Sequence, residues 1–123
     1  MAFLNESDYS VQIRSEIKAV IVKTATAQAL AEQMAQDEMS VYLHTGGYDA
    51  AAIFSASGTE RNAVMVMRMI DLTIYHLYAA IVAKAMPVNR EIRYTATIAW
   101  LEKVSLGTLN PDLPKVAVTS NPS

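Results

Sequence analysis

RYTATIAWLEKVSLGTLNPDLP, positions 93–114, reads as a helix that stops sharply and gives way to an extended tail. Ile92, Ala96, Ala99 or Trp100, and Lys103 or Val104 recur at helical spacing, which predicts one mostly apolar face. Gly107 stands where a left-handed C-cap belongs, a conformation that glycine adopts without a Cβ clash. Pro111 and Pro114 then forbid helix and push their preceding residues towards extended backbone. Leu106, Leu109, Leu113, Val116 and Val118 make the tail too apolar for a solvated linker. A tail of this kind is expected to lie against something, another subunit included.

Working outward, the rest of the chain also reads as helical. Asn5 is a plausible N-cap, with Glu6 and Asp8 in a first turn where acids are favoured, for a short helix through about Arg14. Lys18–Lys23 is β-branched and fits a short strand or a turn. Thr24 or Thr26 caps a long helix over about Ala25–Leu43. Its apolar positions include Ala27, Leu30, Ala31, Met34 and Val41, with Gln33, Gln36 and Asp37 on the wet side. Gly46-Gly47 ends it. Asp49–Phe54 forms about one turn, and Ser55–Thr59 is a small polar loop. Thr59 is the expected N-cap of a third helix, about Glu60–Met86, and Asn62 stands at the third helical position of an incomplete capping box. After Pro87, the fourth helix runs from about Arg90 to Leu106. The fold class is therefore all-α: a compact bundle of about four helices, two of them long, with a helical body over 1–109 and an extended Pro-containing tail over 110–123.

The third helix is apolar almost all round, from Val64 through Val82. A membrane span is one reading of such a run, but Arg68, Asp71 and His76 argue against it. The better reading is a central helix covered by its neighbours, with excess apolar surface that favours oligomerisation.

Composition bounds the function. The 123-residue chain is 52% hydrophobic, with four glycines and four prolines, which suits one folded helical domain rather than a disordered one. Net charge is −2, so nothing advertises nucleic-acid binding. Cysteine is absent, so no disulfide or thiolate metal site exists. The first residues lack a signal-peptide pattern. His44 and His76 fall on different elements, and no His-Glu-x-x-His or duplicated Glu-x-x-His arrangement occurs. Asp71 and Arg68, three apart, are placed to pair. Asp37 and Glu38 are adjacent, so they point apart and read as a solvated face. No nucleophile elbow, dinucleotide fingerprint or phosphate loop is present. The expectation is no enzyme, no cofactor and no metal. Tyr75, Tyr78, Tyr94 and Trp100 suit a subunit interface and helix packing equally. The candidate interface residues are Tyr75, Tyr78, Trp100, Leu109, Leu113, Val116 and Val118.

Several stretches together carry a resemblance. They are Arg93-Tyr94, Trp100-Leu101, Gly107 and Asn110-Pro-Asp-Leu-Pro114, with Tyr48-Asp49, Ile53-Phe54, Asp71-Leu-Thr-Ile-Tyr-His-Leu77 and the opening Phe3–Tyr9. Over most of positions 3–114 the chain resembles the small helical proteins encoded among the head genes of Mu-like tailed phages, classed as head-completion or head–tail adaptor (connector) proteins. It departs from that pattern at His44–Gly47, where a basic residue before Tyr48 is expected. The resemblance implies a structural virion protein at the neck, made in the host cytoplasm. It implies a homo-oligomeric ring, twelvefold like the portal, that contacts portal and neck or tail-completion proteins. DNA would pass through the channel without specific binding, and no membrane is involved. The alternative is a small cytoplasmic helical binding or regulatory module that holds a partner on its Met-rich helix.

Overall fold

In the computed structural model, the described residues are 3–13, 25–81 and 86–116. Five α-helices follow in order: α1 Glu6–Gln12, α2 Ala25–Thr45, α3 Ala50–Ser55, α4 Ala63–Ile81 and α5 Val88–Ser105, with a 3-10 turn at Gly58–Glu60. The fold is the expected all-α bundle, with α2, α4 and α5 the helices expected from about Ala25, Glu60 and Arg90. Lys18–Lys23 lies outside the described residues.

Three of the helices begin at a side-chain cap, Asn5 before α1, Asp49 before α3 and Asn62 before α4. Asn5 closes a full capping box on α1: its side chain accepts from the Asp8 amide while the Asp8 carboxylate accepts from the Asn5 amide. The α4 start differs from the expected one. Thr59 falls in the 3-10 turn, and Asn62 is the cap, its Oδ1 accepting from the amides of Val64 (2.9 Å) and Met65 (3.1 Å). Asn62 therefore precedes the helix instead of lying inside it. α5 begins two residues earlier than expected, directly after Pro87.

At the other ends, Gly107 has φ 79°, and Thr108 N–H donates to Lys103 O while Gly107 N–H donates to Val104 O. This pair of bonds satisfies carbonyls that the end of α5 would otherwise leave orphaned. α2 ends with the same pair, Tyr48 to Leu43 and Gly47 to His44. Gly46 is needed for close approach: a Cβ there would stand 2.8 Å from the Val104 carbonyl oxygen. The C-terminal ends of α2 and α5 thus touch. Along α4 and α5, Arg68 meets Thr97 and Asp71 meets Arg93, so those two helices run antiparallel. α2 and α5 are parallel, with α4 reversed against both.

The three long helices pack pairwise, α1 lies against α4, and α3 against α2. Residues Met69–Ile74 of α4 are all buried, as a helix covered on several sides requires. Ala63–Ala80 is long and apolar enough to cross a membrane by length and composition, and half of that stretch is buried in the domain. The core joins Met65, Met69, Leu72 and Ile74 of α4 to Ala35, Met39 and Leu43 of α2 and to Leu101 and Val104 of α5.

Two helices are rotated from the expected phase. On α2 the buried positions are Ala31, Ala35, Met39 and Leu43, an i, i+4 series, while Leu30, Met34 and Val41 face out. On α5 the buried positions are Thr97, Leu101 and Val104, so Ile92, Ala96 and Ala99 are on the outside. In both helices the inner face is chosen by close packing and by charge pairing, and neither is visible in apolar spacing alone.

Leu101→Ala removes a fully buried side chain at the α2–α4–α5 junction. It is expected to destabilise the fold by about 2–5 kcal/mol. Ile92→Ala, on the outer face, is expected to change the stability of the isolated chain by no more than about 0.5 kcal/mol. Denaturant melts of monomeric protein measure both, and equal effects would refute the assigned rotation of α5.

Candidate functional site

The tail leaves α5 at Gly107 and crosses the start of α4. Pro111 and Pro114 deny it helix, so its main chain finds other partners. Asn62 Nδ2 donates to Asp112 O (3.2 Å), and Leu113 N–H donates to Pro111 O (2.9 Å). Asp49 N–H donates to Pro114 O (2.9 Å) and Val116 N–H to Gly47 O (3.0 Å), closing an isolated antiparallel bridge between Tyr48 and Lys115. The Lys115 ammonium stands 5.3 Å from the Tyr48 ring centroid. Through Val116 the tail therefore lies on its own helical body.

Two shallow clefts flank this strap. One, of about 290 Å³, is walled by Trp100, Leu109 and Pro111 against Val64. The other, of about 240 Å³, is walled by Leu113 and Pro114 against Ile53 and Arg61.

The candidate interface residues divide accordingly. Trp100 and Leu109 meet at the first cleft, with Leu109 exposed and Trp100 half-buried under the Arg68 guanidinium, 5.5 Å from the ring centroid. Leu113 is half-buried against the core at the second cleft, and Val116 is exposed just beyond it. Tyr75 and Tyr78 lie elsewhere. Tyr75 stacks on Tyr94 at 3.8 Å between centroids, and Tyr78 is buried in the core. Val118 lies outside the described residues.

Three polar clusters hold the body together, and each joins separate elements. Glu38 of α2 accepts from the Tyr94 hydroxyl (2.7 Å) and meets His76 Nε2 at 2.8 Å, so one carboxylate bridges all three long helices. Glu38 is thus a helix-joining group, where the sequence suggested a solvated face. Burial, with the Glu38 carboxylate beside it, raises the Tyr94 hydroxyl well above the ordinary tyrosine range. Asp71 does not pair with Arg68. Its buried carboxylate accepts from Arg93 Nε at 2.7 Å and lies 3.8 Å from Arg90, both on α5, while Arg68 reaches Thr97 and Trp100. Asp8 takes a two-pronged bond from Arg61, whose guanidinium also donates to the carbonyls of Phe3 and Gly58. That clamp fastens α1 to the loop before α4.

Chemically, these clusters hold charge and orient rings. The carboxylates of Glu38, Asp71 and Asp8 are each engaged by cations or hydroxyls of the body, and neither strap cleft is lined by Glu38, His76 or Tyr94. Among the described residues no group of three or more His, Asp or Glu side chains is placed to hold a metal. Comparison with family models, with curated proteins and with solved structures finds no match to this chain.

For Asp8, burial alone would raise the carboxyl, but the Arg61 hydrogen bonds, the Asn5 amide and the Arg61 charge outweigh it and hold its pKa below the usual value. A depressed folded pKa stabilises above the unfolded value, about 3.9, and that contribution is lost as pH falls through the folded one. Asp8→Asn is therefore expected to melt earlier than the parent at pH 6, with the gap closing below about pH 4. Thermal melts across pH check this, and a gap that stays constant to the acid limit would contradict it.

Proposed function

We propose that this chain is a structural subunit of a tailed-phage neck: a head–tail adaptor that assembles with copies of itself into a ring between portal and tail, around the DNA channel. The supporting observation is the strap. Residues Gly107–Val116 leave a capped helix in extended form, cross the body on a few polar bonds, and keep Leu109 and Val116 exposed beside the two clefts. Apolar side chains left exposed on a strap fixed to a rigid helical body suit a subunit that a neighbour covers. The sequence resemblance over positions 3–114 points the same way.

The role needs no catalysis, and the engaged carboxylates of the three clusters are consistent with that. The partners are further copies of the chain, the portal protein, and neck or tail-completion proteins. DNA passes through the lumen without specific contact, which a net charge of −2 favours by like-charge repulsion. The working place is the virion neck. The alternative, a binding module built on the Met-rich helix, has less surface to use, because Met65 and Met69 are fully buried in α4.

Electron microscopy of the purified protein mixed with portal is expected to show rings seated on portals, and labelled antibody is expected to mark virion necks. A truncation that removes 117–123 leaves the Val116–Gly47 bond in place. It is expected to melt like the full chain and to lose portal attachment. Unchanged attachment would place the contact on residues 107–116, the helices or the loops, and absence of the protein from virions would end the adaptor reading.

A further inference from the structure

Among the described residues, every arginine but one stands by a carboxylate. Arg61 pairs with Asp8, and Arg93 and Arg90 with Asp71. Arg68 is the exception. Its guanidinium lies on the Trp100 ring, 5.5 Å from the centroid, and its Nη1–H makes a long bond of 3.4 Å to the Thr97 hydroxyl. Its Nε–H is buried and has no partner. A guanidinium carries five N–H donors and keeps its charge at any ordinary pH. Holding it half-buried with no counter-charge is costly. Asp71, one turn along α4, does not supply that charge, because its carboxylate serves Arg93 and Arg90.

The surrounding charges are mostly positive. At about 100° per residue, Arg93 and Lys103 lie on the same flank of α5 as Trp100, while Glu91 and Glu102 lie roughly opposite. Glu60 lines the other strap cleft. Asp112 is exposed on the wall of the Trp100 cleft and forms no ion pair with Arg68 among the described residues. The rest of that cleft is largely apolar: Val64 and Leu109, 42% and 37% exposed, with Pro111 and the Trp100 ring. Trp100 is therefore shared. It carries an uncompensated cation and also walls an open apolar cleft of about 290 Å³.

We propose that Arg68 and Trp100 form a receptor for a segment of a partner protein that carries a carboxylate next to an apolar side chain. The carboxylate supplies the missing counter-charge, meeting the guanidinium in the two-pronged geometry that arginine and carboxylate share. The apolar side chain enters the cleft between Val64 and Leu109. Tryptophan and arginine are the residue types that most often anchor interfaces. The inference stands apart from the adaptor reading, since it names the chemistry that is recognised and not the assembly in which recognition occurs.

The chain has a single tryptophan, so its fluorescence reports this site. The full chain is titrated with acetyl-leucyl-aspartate amide, with its asparagine counterpart and with sodium acetate. The aspartate peptide is expected to change Trp100 emission to saturation, and the response is expected to weaken as salt is raised. The asparagine peptide is expected to bind about tenfold or more weakly, the usual worth of a charge-assisted bond. Arg68→Gln is expected to keep the helicity of the parent and to lose the preference between the two peptides, and Arg68→Lys to keep only part of it. Equal responses of the parent to both peptides, or no response to either, would overturn the receptor. Acetate as effective as the aspartate peptide would overturn the role of the apolar cleft. An Arg68→Gln variant that still prefers the aspartate peptide would overturn the assignment to Arg68. The comparison of peptides on the parent decides the matter even if the variant folds poorly.

Discussion

A single buried carboxylate governs how the helices are rotated. Asp71 lies in the middle of the most apolar helix and is 2% exposed. An unpaired charge in such a place costs several kcal/mol, so the fold must bring cations to it. Arg90 and Arg93 on α5 do so, and their spacing turns the face carrying Arg90, Tyr94, Thr97, Leu101 and Val104 inward. Burial lowers the pKa of Arg90, the adjacent charge of Arg93 lowers it further, and Asp71 acts in the opposite direction. Once α5 is rotated to serve Asp71, Ile92, Ala96 and Ala99 have no place left inside. The apolar outer face of α5 follows from an electrostatic requirement on a different helix.

The Glu38 cluster adds the third helix to that arrangement. Tyr94 is one turn from Arg90, so a helix phased for Asp71 also delivers the Tyr94 hydroxyl to Glu38 and its ring to Tyr75. His76, five residues after Asp71, meets the same carboxylate from α4. Stacked rings and a shared acceptor resist sliding of the three helices along one another, which apolar contacts alone do poorly. The three long helices are thus held in fixed register, with the strap at one end of the body.

Much of this was legible in the chain. Helix existence follows from periodicity, from Asn5 with Asp8, and from the Gly46-Gly47 and Gly107 stops. The phase of α2 was not, because its inner face is built from Ala31 and Ala35, whose small side chains allow close approach and weigh little in any apolar count, while Leu30, Met34 and Val41 weigh more and sit outside. Asn62 was legible as a capping-type residue, yet Thr59 competed for the same role. The pairs Asp71–Arg93, Glu38–His76 and Asp8–Arg61 were hidden for a simpler reason. Spacing along a helix reports neighbours three and four residues apart, and each of these partners comes from another element. Trp100 and Leu109 were singled out by residue type, and only the chain reversal at Gly107 brings them to one cleft.

The touching ends of α2 and α5 have an electrical consequence. Each helix carries roughly half a unit of negative charge at its C-terminus and the same positive charge at its start. Two parallel helices against one reversed helix leave about one helix's worth of dipole uncancelled. The molecule therefore has a negative pole, where Gly46 meets Val104, and a positive pole at the opposite end. Lys103 and Lys115 stand near the negative pole and screen it. In the ring proposed above, copies with their helices aligned along the axis would add these dipoles, so the two rims would differ in potential before any specific contact is made.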